Sequence, residues 1–535
     1  MDSRLTLQEE ALYGAATPRN FDEGLFESIN VTPQLFDEYQ SKIFLSRPDI
    51  ESLGNTLLGK SFFDVAKSHI RENRNSVIKK RKQELHLVIE KEVARLLGVK
   101  IARSVIKQLK GNDSVSSIQH SVPLGHPYIL NATFQEALPY FGGSNPNLQN
   151  VIVMANSLAS FNNYSSPKAD ALHLLTSDEI NNQQFSFFGQ TSEAFPTIFH
   201  KPYGENAIEE MKKRAINLRQ SNKITKENMQ NIMDLFEEVY SSPHVLSQGN
   251  YLDQLTVLNY YLFKRLMQGY KKQIPNLVFL SQELITLSLL EANHMNTSTI
   301  LGKIIFNKDY AMTFLEEFDG LNGAFNTQKD TGTFLFWARP KGNEHRERLK
   351  LGENELISLN SNYRLELTPE AISDAIKREE LIPSTSLVFL VLVFYYGLSL
   401  GGGLAQVNNI NALKKAYFSF LKKREEGGED LLVLDSCVAD NLVISRPSVL
   451  YMQKDLKRIP VTGMDIIVYG KNITNWDKII ESTKQIAITD ILTRLYPFYY
   501  QQFVENKEDR FVQISEKDIE NFKQLSSKIP PLFEV

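Results

Sequence analysis

The sequence predicts a mixed α/β protein: a parallel sheet flanked by helices, preceded by a helical layer and interrupted by a small β module. Three observations carry that expectation. From about residue 120 to 310, short apolar segments such as 151–155 (VIVMA) and 276–280 (NLVFL) alternate with long helical stretches at 205–219 and 226–240, the pattern of strands covered on both faces. Between about 325 and 367 the pattern changes to short strands, 333–339 (TFLFWAR), 348–351 and 355–367, separated by Gly and Asn turns. Up to about residue 115 the chain is mostly helical in pattern, with its longest periodic stretch at about 68–110 and a stop signal at Gly111, Asn112 and Asp113.

These changes divide the 535 residues into a helical N-terminal region (1–115), the first part of the α/β core (116–320), the β module (321–383) and the second part of the core with C-terminal helices (384–535). Thr368 is placed to N-cap a helix beginning at Pro369 and Glu370. Further on, 431–434, 442–445 and 465–469 have strand character. A helix is expected from Trp476 to about Phe503, closing on the aromatic cluster 496–503, and the asparagine-rich patches 145–150 and 181–182 suit loops.

Composition excludes several classes of function. With 59 Lys and Arg against 63 Asp and Glu, the net charge of −4 provides no field for a polyanion, so nucleic acid is not expected as a partner. The basic run Lys79, Lys80, Arg81 and Lys82 is followed by Glu84, Glu90 and Glu92, which suits a solvated helix face. Cys437 is the only cysteine, ruling out a disulfide framework or a cysteine-rich metal site and fitting a reducing, cytosolic setting. The N-terminal MDSRLTLQEEALYG lacks the basic-then-apolar pattern of a secretory signal. The apolar run 387–400 (LVFLVLVFYYGLSL), bracketed by Pro383 and Gly401 to Gly403, is shorter than the roughly 18 residues a membrane span requires, so a buried core strand or helix is expected.

The sequence contains no GxGxxG or HExxH pattern, so zinc proteolysis drops out. It identifies no metal site and no cofactor, and it leaves a homo-oligomer open. The candidate site residues are polar groups beside flexible backbone. Gly402 and Gly403 either admit an anion or make a tight turn; Gln406, Asn408 and Asn409 follow them, then Lys414 and Lys415. Gly125 and His126, with Asn131 behind, suit a phosphate, a carboxylate or acid–base work. The loop after VIVMA provides Asn156, Ser157, Asn162 and Asn163, which suit binding. Arg339, His345, Arg346 and Arg348 form a positive group suited to a carboxylate or phosphate. Cys437, after the strand-like 431–434, is either a nucleophile or an inert buried thiol.

Several of these segments resemble one family, the cysteine-adding enzymes of bacillithiol biosynthesis. The stretch ELIPSTSLVFLVLVFYYGLSLGGGLAQVNNINALKKAYFSF looks like that family's proline-led apolar run ending in a double glycine and followed by a Leu-Lys pair, here Pro383, Gly402, Gly403, Leu413 and Lys414. Upstream, GTFLFWARPKGNEHRERLKLGENELISLNSNYRLELTPEAI resembles its β hairpins and following helix start, and VPLGHPYILNATF and VIVMANS stand where it has a substrate loop and a strand ending in Met-Ala-Ser. The similarity covers roughly residues 120–425. It implies a Rossmann-like core, a β-containing connecting module, and a cytosolic enzyme joining an amine or thiol donor to a small sugar-like or acidic acceptor. The sequence departs from the family where residues 156–161 (NSLASF) replace its acidic and histidine residues, where Gln406 replaces its glutamate, and where the C-terminal heptads are missing.

The expectation is therefore a biosynthetic enzyme of ligase or transferase type with a small-molecule substrate. Gly125, His126, Asn131, Asn156 and Asn163 line one wall of its cleft and Gly402, Gly403, Gln406 and Asn409 the other. Lys414 or Arg339 neutralises an acidic group, and His126 moves the proton, titrating near pH 6 to 7. The alternative is a catalytically inactive relative that binds a metabolite or a protein partner, since amides hold ligands but transfer no protons.

Overall fold

The apolar segments become strands where β-branched and aromatic side chains are buried on both faces. The computed structural model describes residues 28–71, 76–143, 147–161, 171–175, 182–189, 195–341, 345–426, 428–437, 441–444, 446, 448–454, 457–470, 473 and 475–535. Two sheets organise the middle of the chain. Their strands are β1 (Ser114–Ser116), β2 (Asn150–Ala155), β3 (Asn276–Ser281), β4 (Phe336–Ala338), β5 (Glu347–Leu351), β6 (Glu355–Ser358), β7 (Arg364–Glu366), β8 (Leu381–Pro383) and β9 (Ser399–Gly401).

The first sheet is wholly parallel, in the order β9-β1-β2-β3, with Ser114 opposite Ser399, Ser116 opposite Val153 and Val151 opposite Leu277. Every residue of β2 is buried, as a central parallel strand requires. Helices hold it through side chains as well as packing. On the Val99–Leu109 helix, Gln108 accepts from Asn150 N at 2.9 Å and donates to Asn150 O at 2.6 Å, and on the Tyr251–Leu266 helix Thr256 donates to Phe279 O at 2.6 Å. The second sheet is antiparallel in the order β7-β6-β5-β4-β8. It follows the expected β module, and Thr368 caps the helix after β7, accepting from Ala371 N at 3.2 Å.

The apolar run at 387–400 is buried as the helix Thr385–Phe389, a π-helical turn Leu390–Tyr395 and then β9. Among the described residues, no helix is long and apolar enough to cross a membrane.

Three expectations are corrected. The strand-like 431–434 is part of the helix Glu429–Ser436, and 465–469 part of the helix Gly463–Tyr469. In the second, Thr462 and Asp465 form a reciprocal capping box that outweighs the β propensity of the Ile-Ile-Val run. The helix expected from 476 to 503 is three helices, Trp476–Thr483, Ile488–Thr493 and Tyr496–Phe503. Its first break is tertiary: Phe62 N donates to Ile486 O at 2.9 Å and Ile488 N to Lys60 O at 3.0 Å, drawing 486–488 out of the helical path. The segment 442–445 is described to residue 444, where Leu442 bridges Gly402 in parallel and extends the first sheet beyond β9.

Candidate site at the carboxyl edge of the parallel sheet

Connectivity determines where a ligand can sit. The chain steps through β1, β2 and β3 in one direction and returns to β9 on the other side of β1, so the loops leaving β1 and β9 diverge at their carboxyl ends. Sheets of this kind take ligands at that point.

The loop after β1, residues 117–126, runs along this edge. At its start Ser117 donates to the Gly401 carbonyl from N at 2.8 Å and from Oγ at 3.2 Å, and its hydroxyl accepts from Gln406 at the start of the Leu404–Lys423 helix. Midway, Asn156 N donates to Gln119 O and Ser121 N to Asn156 O, both at 2.9 Å, so the loop continues the pairing of β1 with β2. At its end Gly463 N donates to Gly125 O at 2.9 Å, and the His126 ring stands edge-on to His173 with centres 5.7 Å apart. A Cβ on Gly463 would lie 2.6 Å from the Leu124 carbonyl oxygen, so this close backbone approach needs glycine.

Between β2 and β3 a series of hydroxyls ends on a carboxyl. Ser121 and Ser157 hydroxyls are 2.8 Å apart, Ser157 donates to Ser281 at 2.7 Å, and Ser281 donates to Glu283 Oε2 at 3.2 Å. Glu283 is fully buried and also accepts from Ser157 N at 2.9 Å. Burial raises its pKa above the ordinary carboxyl value against the opposing effect of these hydrogen bonds.

Beyond Ser157 the loop meets the β module. Asn156 Oδ1 accepts from Leu158 N at 2.8 Å and Ala159 N at 3.2 Å, closing a tight turn. Leu158 packs with Trp337 and Ile382, and Arg346 donates to the Leu158 carbonyl at 3.1 Å with its guanidinium 4.4 Å from the Trp337 ring centre. Trp337 and Arg346 form one side of a shallow, solvent-open depression; the turn at 320–326 and Lys329 form the other. Gly323 of that turn faces Asn409, which a Cβ there would meet at 3.7 Å.

No protein-family model matches the sequence, and no curated protein matches it. The site is therefore characterised by its own geometry.

The residues singled out in the sequence fall into three groups along the edge. Gly402, Gly403 and Gln406 lie where β1 and β9 part; a Cβ on Gly403 would meet Ile118 of the β1 loop at 3.3 Å. Asn156 and Arg339 lie toward the β module, Arg339 stacking on Phe199 at 4.3 Å, and Asn409 backs the depression. Gly125, His126 and Asn131 face residues 441–463 instead. His126 N-caps the Pro127–Ala137 helix, its Nδ1 accepting from Tyr128 N at 3.2 Å, and burial, with His173 and His120 beside it, lowers its pKa to about 3, well below the expected titration near pH 6 to 7. Asn131 uses both ends of its amide on the main chain of 444–449. Lys414 donates to the Cys437 carbonyl at 2.9 Å, and Asn163 lies outside the described residues. Among the described residues, no group of three His, Cys, Asp or Glu side chains is placed to hold a metal ion.

Sequence analysis missed Ser121, Ser281 and Glu283. A signal for two of them was present: Ser281-Gln282-Glu283 follows the NLVFL strand directly, and a hydroxyl at a strand end that also caps a helix is where α/β proteins expose polar groups.

For Cys437 the structure favours the inert thiol. It is 7% exposed, its Sγ donates to the Val393 carbonyl at 3.0 Å, and burial pushes its pKa up to about 12. Disulfide-exchange labelling of the native protein at pH 8 is expected to run about 1000-fold slower than for a free thiol, and to reach the free rate in denaturant. Fast native labelling would contradict this burial.

Proposed function

We propose that the protein is a biosynthetic enzyme of ligase or transferase type, with a Rossmann-like core, that takes a small acidic metabolite on the β module beside the loop after β2. The observation that carries this reading is the depression beside the loop after β2: Lys329 and Arg346 provide positive charge, Trp337 an apolar face, and Asn322 and Asn326 hydrogen-bonding groups. The strand order, which counts 3-2-1-4 from β3 to β9, supports the Rossmann-like core, as does the resemblance to the cysteine-adding enzymes, which also supports an amine or thiol donor. Proton transfer is assigned to Glu283 through the Ser121, Ser157 and Ser281 hydroxyls, because His126 commits Nδ1 to its helix and stays neutral. The single cysteine supports a cytosolic setting.

A second reading, a binding protein without catalysis, is favoured by one observation. Among the described residues, those lining the depression include no carboxylate and no imidazole. The two readings part on pH dependence: turnover through Glu283 titrates, whereas binding through Lys329, Arg346 and the amides is flat from pH 5 to 8.

A thermal-shift screen of amino acids, thiols, nucleotides and sugar phosphates tests the site. A ligand at about 100 times its Kd stabilises the native state by about 2.7 kcal/mol, and Arg346→Ala is expected to weaken an acidic hit at least about 10-fold. A hit that binds Arg346→Ala as tightly as the parent protein would place the ligand elsewhere.

A further inference from the structure

A second polar cluster lies apart from this depression. Tyr451–Lys454 and Lys457–Pro460 form a hairpin, and the segment Phe533–Glu534 joins its first strand in parallel. Two guanidiniums lie against the single Tyr451 ring of this hairpin, Arg458 at 4.3 Å and Arg494 at 5.5 Å from its centre. Their surroundings differ. Arg494 donates to the Tyr451 hydroxyl and pairs with Glu520 at 2.5 Å. Arg458 Nε and Nη2 are both shut off from solvent, and among the described residues neither has a hydrogen-bond acceptor.

Those two nitrogens lie on one edge of the guanidinium. Together they form the fork that holds two oxygens of a carboxylate or phosphoryl group in its plane. A protein leaves a pair of buried, charged donors unmet only at a cost, and an anion of matching shape removes it. Burial, with Arg494 alongside, holds the Arg458 pKa below the ordinary guanidinium value, and Tyr451 and the Glu520 carboxylate, which pairs with Arg494, offset this only in part. Tyr128, whose ring stands edge-on to His126 with centres 5.1 Å apart, lies within the field of Arg494, so the cluster adjoins the start of the Pro127–Ala137 helix.

We propose that Arg458 is the centre of an oxyanion site, distinct from the Trp337 depression, that binds a carboxylate or phosphoryl group in bidentate fashion with Arg494 as the second cation. Calorimetric titration of the full-length protein with inorganic phosphate and with succinate, at constant ionic strength with chloride as the reference, tests it. Saturable one-site binding of either probe is expected. Phosphate alone indicates a phosphoryl ligand, succinate alone a carboxylate, and both together the shared chemistry. Arg458→Lys keeps the charge but loses the fork and is expected to weaken binding at least about 10-fold, with Arg458→Gln as a second variant if the lysine protein folds poorly. Arg346→Ala, in the depression, is expected to leave this binding unchanged. The site is overturned if neither probe binds saturably to about 10 mM, if Arg458→Lys binds like the parent protein, or if Arg346→Ala abolishes binding.

Discussion

Replacing Asn131 with alanine is expected to cost about 4 kcal/mol of stability, read as a lower urea midpoint with an unchanged slope. The side chain is fully buried in the Pro127–Ala137 helix. Its Nδ2 donates to Ile444 O at 2.9 Å, Arg446 O at 3.0 Å and Ser448 Oγ at 3.1 Å, while Oδ1 accepts from Ser448 N at 3.2 Å. One turn on, on the same helix face, Gln135 donates to Leu442 O at 3.2 Å and accepts from Ile444 N at 2.8 Å. The two amides thus stand in for a neighbouring strand along a segment that pairs with Gly402 on its other side. Alanine deprives the Ile444 and Arg446 carbonyls and the Ser448 and Val449 N–H groups of this partner, each buried loss being worth roughly 1–3 kcal/mol. Asn131→Asp is expected to be no better, because its second oxygen faces the Ile444 and Arg446 carbonyls. A loss below about 1 kcal/mol for the alanine variant would mean that the segment finds other partners.

The second large effect is acid sensitivity. Burial is the first cause lowering the pKa of five histidines, to about 4 at His86, His120 and His200 and to about 3 at His126 and His294. Geometry gives the same answer at His294. Thr299 Oγ, which accepts from Gly302 N, lies 2.9 Å from Nδ1 with a proton to donate; Tyr396 donates to Glu84 and so accepts from Nε2 at 2.9 Å. The neutral ring, with one acceptor and one donor nitrogen, satisfies both hydroxyls. Folded, these histidines stay neutral below pH 6.5, whereas in the unfolded chain they take up protons at about that pH. Their contribution is therefore complete above pH 6.5 and is lost as pH falls toward 4, at up to about 1.4 kcal/mol per pH unit for each group, and less for His120 and His200, which are partly exposed. Glu283 and Asp430, raised by burial, act in the opposite sense. The urea midpoint should hold steady from pH 8 to 7 and drop steeply between about 6.5 and 4. A flat profile down to pH 5 would show these rings to be solvated.

The α/β class and the β module were legible because they rest on local patterns: VIVMA and NLVFL are strands, TFLFWAR contains β4, and Thr368 caps its helix. The break of the 476–503 helix was not, because it arises from main-chain pairing with Lys60 and Phe62, more than 400 residues earlier in the chain. The candidate site was legible in residue type but not in use. Asn131, Asn156 and His126 are polar residues of the types that hold ligands, yet each bonds the protein's own backbone, as turn and cap chemistry allows. Glu283 escaped notice because its importance depends on burial, and Arg458 because a guanidinium with two nitrogens lacking acceptors can be recognised only once its neighbours in space are known.

The return of β9 to the side of β1 also sets an order of events during synthesis. Ser117 meets the Gly401 carbonyl at a separation of 284 residues, so the outer edge of β1 has no partner strand until that whole length has left the ribosome. At 5 to 20 residues per second this takes roughly 15 to 60 s, during which a ready-made parallel edge stands open. For that interval the nascent chain is open to chaperones and to mispairing at β1, the strand whose loop later carries the carboxyl edge of the sheet.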